Sequence, residues 1–367
     1  MARKVRTAII GCGGIAFGKH IPALANTPDV EIVALCDINP DRFPEAKAKF
    51  PYLKDCAEYI DYKELLKDES IECVHVCTPN RSHSFITIDA LHAGKNVICE
   101  KPMAKTYAEA VEMCKAAKET GKLLTIGYQG RYRKEMLHTK QRADAGEFGE
   151  IYYGKAHAVR RRAIPTWGVF LNEYEQGGGP LIDIGTHALD LTLWMMNNYR
   201  PVKVLGQSFK KLGRDGENIG NAWGGSVDPE KFTVEDSAFG FIVMENGAVV
   251  NLEASWALNT LDVYENNTTL HGTKAGVDFR DGMRVNKIVN GRQAVEKVEM
   301  SGSGVAFFEG DGDVNPETAE CRCFYNAVRG EGELIVLPEQ ALVVTRILEA
   351  IYDSAKTGEA ITFTYDD

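Results

Sequence analysis

Over its first third, the chain alternates short runs of branched apolar residues with stretches whose apolar positions recur every three or four residues. The runs at 5–10, 31–36, 73–77, 96–99 and 123–126 predict strands. The stretches 15–26, 40–50, 62–67, 83–92 and 107–120 predict the helices between them. Strands apolar on both faces and joined through helices make a doubly wound parallel sheet. After about residue 127 the period changes. One helical stretch, 133–145, is followed by strands of alternating polarity at 151–159, 202–209, 238–243, 248–256 and 262–272, with Glu245-Asn246-Gly247 as a hairpin turn. These predict an α/β chain of two domains. Residues 1–127 form the parallel sheet, and 128–367 a mostly antiparallel open sheet with a few helices. Two glycine-rich connections, 213–232 and 301–316, are longer than plain loops and predict lids or subunit contacts.

The 367 residues are 44% hydrophobic and 26% charged, enough for two packed cores. A net charge of -10 argues against a nucleic-acid partner and against an anionic membrane surface. The nearest basic patch, Arg160-Arg161-Arg162, reads as part of a strand, with Arg160 and Arg162 facing one way. Nine cysteines without paired metal spacing, mostly inside apolar runs, read as reduced core residues. No stretch has the length of a membrane span, and the apolar run after Arg3-Lys4 is too short for a signal peptide, so the expected compartment is the cytoplasm.

The first strand runs into Gly11-Cys12-Gly13-Gly14-Ile15-Ala16, a G-x-G-x-x-A turn opening a helix. Gly11 permits the tight turn, Gly13 lets the backbone approach a pyrophosphate, and Ala16 lets helix pack on strand. Asp37 ends the second strand, where a carboxylate accepts from ribose hydroxyls and repels a 2′-phosphate. A dinucleotide, NAD before NADP, is the expected cofactor. Arg42 lies close enough in sequence to reach the same pocket and keeps NADP open.

Gly177-Gly178-Gly179-Pro180-Leu181-Ile182-Asp183-Ile184-Gly185-Thr186-His187 places a carboxylate and an imidazole one helical turn apart. Asp183 then orients and activates His187 as a base. The alternative is a capping Asp183 and a half-buried His187. Asp190 adds a third metal-compatible ligand, but no further ligand presents itself, so no metal is expected. Upstream, Trp167 offers a flat apolar face to sugar C–H groups and Arg160 a forked donor to hydroxyls; packing at an interface explains both equally well. His157 and Tyr153 are weaker candidates on the same strand.

Cys77-Thr78-Pro79-Asn80-Arg81-Ser82-His83 and Cys99-Glu100-Lys101-Pro102 follow the fourth and fifth predicted strands. With the glycine turn and the Asp183/His187 segment, in this order, they resemble the Gfo/Idh/MocA oxidoreductase family over nearly the whole chain. The resemblance implies an N-terminal Rossmann domain and a C-terminal α/β domain whose open sheet forms homodimers or homotetramers. It implies hydride transfer between NAD(P) and a hydroxyl or carbonyl of a sugar, cyclitol or related polyol. It makes Lys101, Asp183 and His187 catalytic, and gives Thr78, Asn80, His83, Glu100 and Gln129, with Gly11, Gly13, Gly14, Ile15 and Asp37, to the cofactor. The family often has a proline after the arginine of Gly127-Tyr128-Gln129-Gly130-Arg131; here Tyr132-Arg133-Lys134-Glu135 follows. Two other activities share the pattern: a glycosidase using NAD for transient oxidation and elimination, and a regulator that binds nicotinamide without turnover. The intact Lys101, Asp183 and His187 set counts against the regulator.

Overall fold

A computed structural model describes residues 3–215, 220–224, 227–300 and 314–365. They form two compact units, Met1–Tyr132 with Asp313–Leu342, and Arg133–Gly312 with Val343–Asp367.

In the first unit, β1 (Val5–Ile10), β2 (Val30–Cys36), β3 (Ala57–Tyr59), β4 (Cys73–Val76), β5 (Asn96–Cys99) and β6 (Leu124–Ile126) form one parallel sheet in the order 3-2-1-4-5-6. The strand order reverses between β1 and β4, the place where open parallel sheets bind ligands at their carboxyl ends. Strand β3 escapes the hydrophobic pattern because its three residues are largely exposed at the sheet edge. The helices His83–His92 and Tyr107–Thr120 fall where periodicity placed them, the second closed by a capping box between Thr106 and Glu109. The helix Pro316–Val328 also belongs to this unit: its Cys321, Phe324 and Tyr325 pack into one core with Ile9, Ile21, Leu24 and Leu35. Periodicity carries no sign of that return, since it reports which face of a helix is buried and not against what.

The second unit is a nine-stranded sheet. Its strands are β7 (Ile151–Val159), β8 (Pro201–Phe209), β9 (Ser237–Met244), β10 (Val249–Ser255), β11 (Tyr264–Gly272), β12 (Ala275–Asp278), β13 (Met283–Val289), β14 (Arg292–Val298) and β15 (Ile361–Thr362). The order is 14-13-12-11-7-10-9-8-15, antiparallel except between β7 and β10. Glu245-Asn246-Gly247 turns β9 into β10, with Gly247 at φ +85°.

Strand β7 ends at Val159, so the expected strand through Arg160-Arg161-Arg162 does not form. The Arg160 amide still bonds to Ser255 O, after which the chain leaves the sheet and only Arg162 makes an isolated bridge, to Ala257. The expected lids or contacts at 213–232 and 301–316 lie partly outside the described residues. The nine cysteines are all free thiols, seven of them buried. No described helix is long and apolar enough to cross a membrane.

Candidate active site

Five expected cofactor positions stand at the carboxyl ends of parallel strands: Gly11 after β1, Asp37 after β2, Thr78 after β4, Glu100 after β5 and Gln129 after β6. Gly11 has φ +95°, and a Cβ there would lie 2.8 Å from the Cys77 carbonyl carbon and oxygen. The tight turn is therefore possible only for glycine, because two strand exits pass each other. Gly13 and Gly14 differ: nothing lies within 4 Å of their Cβ positions, and the backbone there is open at the start of a helical turn. Ile15 is 40% exposed beside them. Asp37 Oδ2 accepts the Cys12 amide at 2.7 Å and Oδ1 the Asn39 amide at 2.9 Å, so the carboxylate is held against the glycine turn itself. Arg42 bonds instead to Glu45 on its own helix, at 2.7 Å.

His83 spans the exits of β4 and β5, with Nε2 2.8 Å from Thr78 O and Nδ1 2.8 Å from Pro102 O. Burial lowers its pKa against the pull of these two carbonyls. Thr78 Oγ1 is buried without a hydrogen-bond partner among the described residues. An open glycine turn beside a fixed acidic residue, with an orphaned hydroxyl at the exit of the adjacent strand, fits a dinucleotide. Asn80 lies in the short turn after β4, and half-buried Lys101 precedes Pro102 in a cis peptide.

Glu100 is buried, taking Lys19 Nζ at 2.6 Å and His20 Nε2 at 2.9 Å on Oε1, and the Lys101 amide at 3.1 Å on Oε2. Burial opposes its charge, but Lys19, His20 and Lys101 hold its carboxyl well below the usual range. Lys19 also reaches Gln129 Oε1 at 3.3 Å and lies 2.9 Å from Glu320 Oε2. Burial and the repulsion of Glu100 push the Glu320 carboxyl up to about 7, against the pull of Lys19.

In the second unit, a π-turn, Leu181–Gly185, runs into the helix Thr186–Met196, a local widening of the kind often found at functional sites. From Gly178 to Met195 every residue is buried except two, Asp183 and His187. They are one turn apart, so one patch of surface receives both side chains. Asp183 Oδ2 accepts the indole N–H of fully buried Trp256 at 3.0 Å. Asp190, by contrast, is 1% exposed and does not share that surface.

An aromatic series leads outward from Trp256 through Phe170 (ring centroids 6.5 Å) and Trp167 (6.1 Å) to Trp223 (4.9 Å). Trp167 is 53% and Trp223 48% exposed. Arg160 lies over the Trp223 ring at 4.8 Å and donates from Nη2 and Nε to Glu265 at 2.5 and 2.8 Å. Its fork is thus committed to a carboxylate of its own chain. His157 is buried against Thr269, and burial lowers its pKa to about 4; Tyr153 stacks on His271.

A model described as "Oxidoreductase family, NAD-binding Rossmann fold" matches residues 5–128, and one for the "GFO/IDH/MocA C-terminal domain" matches residues 136–278. The chain belongs to the Gfo/Idh/MocA oxidoreductase family. Among its relatives, the D-glucoside 3-dehydrogenase of Escherichia coli is 34% identical over 97% of both chains. The inositol 2-dehydrogenase of Salmonella typhimurium is 33% identical over 54% of this chain and 57% of its own. A levoglucosan dehydrogenase, solved with NADH and levoglucosan, superposes with a TM-score of 0.81 over 98% of this chain and 99% of its own, at 22% identity.

For this family member, sequence reasoning missed the residues that hold the expected ones. Buried Glu235 accepts the amides of Gly179 (2.8 Å) and Leu181 (3.1 Å) and the hydroxyl of Tyr352 (2.9 Å), anchoring the start of the π-turn. A Cβ on Gly179 would lie 2.2 Å from Glu235 O, and one on Gly178 2.0 Å from the Tyr352 hydroxyl. These two buried glycines are required by contacts inside their own unit. Trp256, Glu235 and Lys19 lie 73, 56 and 81 residues from their partners, and no local spacing marks such pairs.

Proposed function

We propose that the protein is an NAD-dependent dehydrogenase for a secondary hydroxyl of a sugar, cyclitol or sugar derivative, with glycosides as the leading substrate class. The observation that carries this reading is the pair Asp183 and His187, alone in reaching the surface of an otherwise buried segment, beside exposed aromatic rings. The E. coli relative, matched over 97% of both chains and named for glucoside oxidation, supports it.

Bound NAD supplies the hydride acceptor. His187 takes the hydroxyl proton on its imidazole, and Asp183, pinned by Trp256, keeps that ring oriented. Lys101 Nζ steadies the developing oxyanion. Gly11, Gly13, Gly14 and Ile15 receive the pyrophosphate, Asp37 the ribose hydroxyls, and Thr78, Asn80, His83, Glu100 and Gln129 the nicotinamide half. Trp167 gives sugar C–H groups an aromatic face, and Arg160 bounds the pocket through its pair with Glu265. Leu205 and Phe241, opposite each other across β8 and β9 and each about half exposed, support self-association as a homodimer or homotetramer through the open sheet. A cytoplasmic location accords with the reduced thiols.

Glycosides, aldoses, inositols and sugar acids are screened for reduced-nicotinamide absorbance, first with NAD and then with NADP. Turnover of a glycoside or cyclitol with NAD is expected. Glycoside cleavage without net NADH would replace this reading with the glycosidase, and NAD binding without any turnover with the regulator. His187→Ala should abolish turnover and leave NAD affinity intact; a parallel loss of NAD binding would show that His187 serves the cofactor.

A further inference from the structure

The buried polar groups behind Glu100 form one continuous chain. His20 Nδ1 lies 2.7 Å from His75 Nδ1, His75 Nε2 lies 2.9 Å from the Tyr325 hydroxyl, and that hydroxyl lies 2.8 Å from Thr7 Oγ1. Thr7 Oγ1 in turn lies 3.2 Å from Cys73 O. Thr7, His20, His75 and Tyr325 are fully buried, on β1, the helical turn after it, β4 and the helix Pro316–Val328. Water is therefore not at hand to complete any missing bond, and the donors and acceptors must match within the chain.

Counting protons gives two complete arrangements. An ionised Glu100 can only accept, so His20 donates to it from Nε2. With both rings neutral, bare His20 Nδ1 takes the His75 Nδ1 proton. Bare His75 Nε2 then takes the Tyr325 proton, and the Tyr325 oxygen takes the Thr7 proton. Every donor points toward Glu100. In the second arrangement His20 is an imidazolium. The former His75 Nδ1 proton now sits on His20 Nδ1, and one proton from solvent ends on His75 Nε2. Tyr325 then donates to Thr7, and Thr7 to Cys73 O. Every buried group is again paired, and the two states differ by one proton.

We propose that His20, His75 and Tyr325 are positioning residues for the reaction: their chain fixes the Glu100 carboxylate, and through it the Lys101 amide at the end of β5, and it stores one proton by reversing its donors. The proposal rests on the role given to Lys101 above. Gly127 fits the same purpose, since a Cβ there would lie 3.0 Å from both Glu100 Oε1 and Lys19 Nζ. The charged and titratable groups facing the chain are Lys19 from the helical turn, Glu100 and Lys101 just after β5, Cys73 from β4, and Cys321 and Glu320 from the helix Pro316–Val328. Burial keeps both imidazoles neutral at rest, lowering the pKa of His20 and, further, that of His75.

The test uses the full chain labelled with 15N in histidine. At pH 7.5, His20 should carry its proton on Nε2 and His75 on Nδ1, a readout independent of turnover. His75→Leu leaves the second N–H of a His20 imidazolium without a partner. It should lower kcat about tenfold and move the acid limb of the kcat profile down by about one pH unit. His75→Gln, whose amide both donates and accepts, should keep kcat within about threefold. Should His75→Leu fail to fold, Tyr325→Phe takes its place: it removes the group that accepts from His75 Nε2 in the protonated state, so it should lower kcat and move the acid limb down, with His75 still protonated on Nδ1. The opposite tautomers in the wild type, or unchanged kcat and pH profile in these variants, would overturn the proposal. If the tautomers are as expected but Lys101→Ala remains fully active, the reading of Lys101 fails instead.

Discussion

The buried indole of Trp256 donates to Asp183 Oδ2 across 3.0 Å, fixing a carboxylate that stands one turn from His187. Removing that donor while keeping an aromatic ring frees the carboxylate without exposing the core. Trp256→Phe should therefore lower kcat about tenfold, the equivalent of one buried hydrogen bond to a charged group, with the NAD dissociation constant unchanged. Steady-state rates beside cofactor titration decide it, and an unaltered kcat would remove Asp183 from the proton path.

Asp37 is held by the Cys12 and Asn39 amides at the end of β2. A carboxylate there repels a 2′-phosphate, so Asp37→Ala should weaken NAD and raise the NADP to NAD ratio of kcat/KM about tenfold. The same ratio in variant and wild type would mean that another group reads the ribose.

The glycines separate into two kinds. Gly179→Ala meets backbone at 2.2 Å and should cost about 2 kcal/mol or more in urea denaturation. Gly14→Ala meets nothing within 4 Å; it should keep stability within about 0.5 kcal/mol while weakening NAD binding. The reverse ranking would refute both assignments.

Glu320 is buried, with its pKa raised from 4.5 to about 7. Between those values the folded protein binds more protons than the unfolded chain, so this group's stabilisation is complete below about pH 4.5 and is lost as pH rises through about 7. Glu320→Gln stays neutral beside Lys19. Its stability relative to wild type should rise between pH 5 and pH 7.5, by on the order of 3 kcal/mol. Denaturation curves at these two pH values would decide it, and a constant difference would place the titration elsewhere.

The sequence by itself determined the doubly wound sheet, the glycine turn with Asp37, and the one-turn spacing of Asp183 and His187, while Thr78 and Lys101 were marked only through the resemblance to the family. The first three are written in local spacing: branched runs, helical periods, a turn that only glycine makes, two side chains one turn apart. Five strands, β3 and β12 to β15, and the return of the helix Pro316–Val328 to the first unit were not legible, because hydrophobic period records burial without naming a partner. Only the tertiary structure decided what holds the candidate residues: Trp256 on Asp183, Glu235 on the Gly179 and Leu181 amides, and Lys19 with His20 on Glu100. These are pairs brought together by chain crossing, where the desolvation of each buried charge demands a partner and leaves no trace in the spacing of residues along the chain.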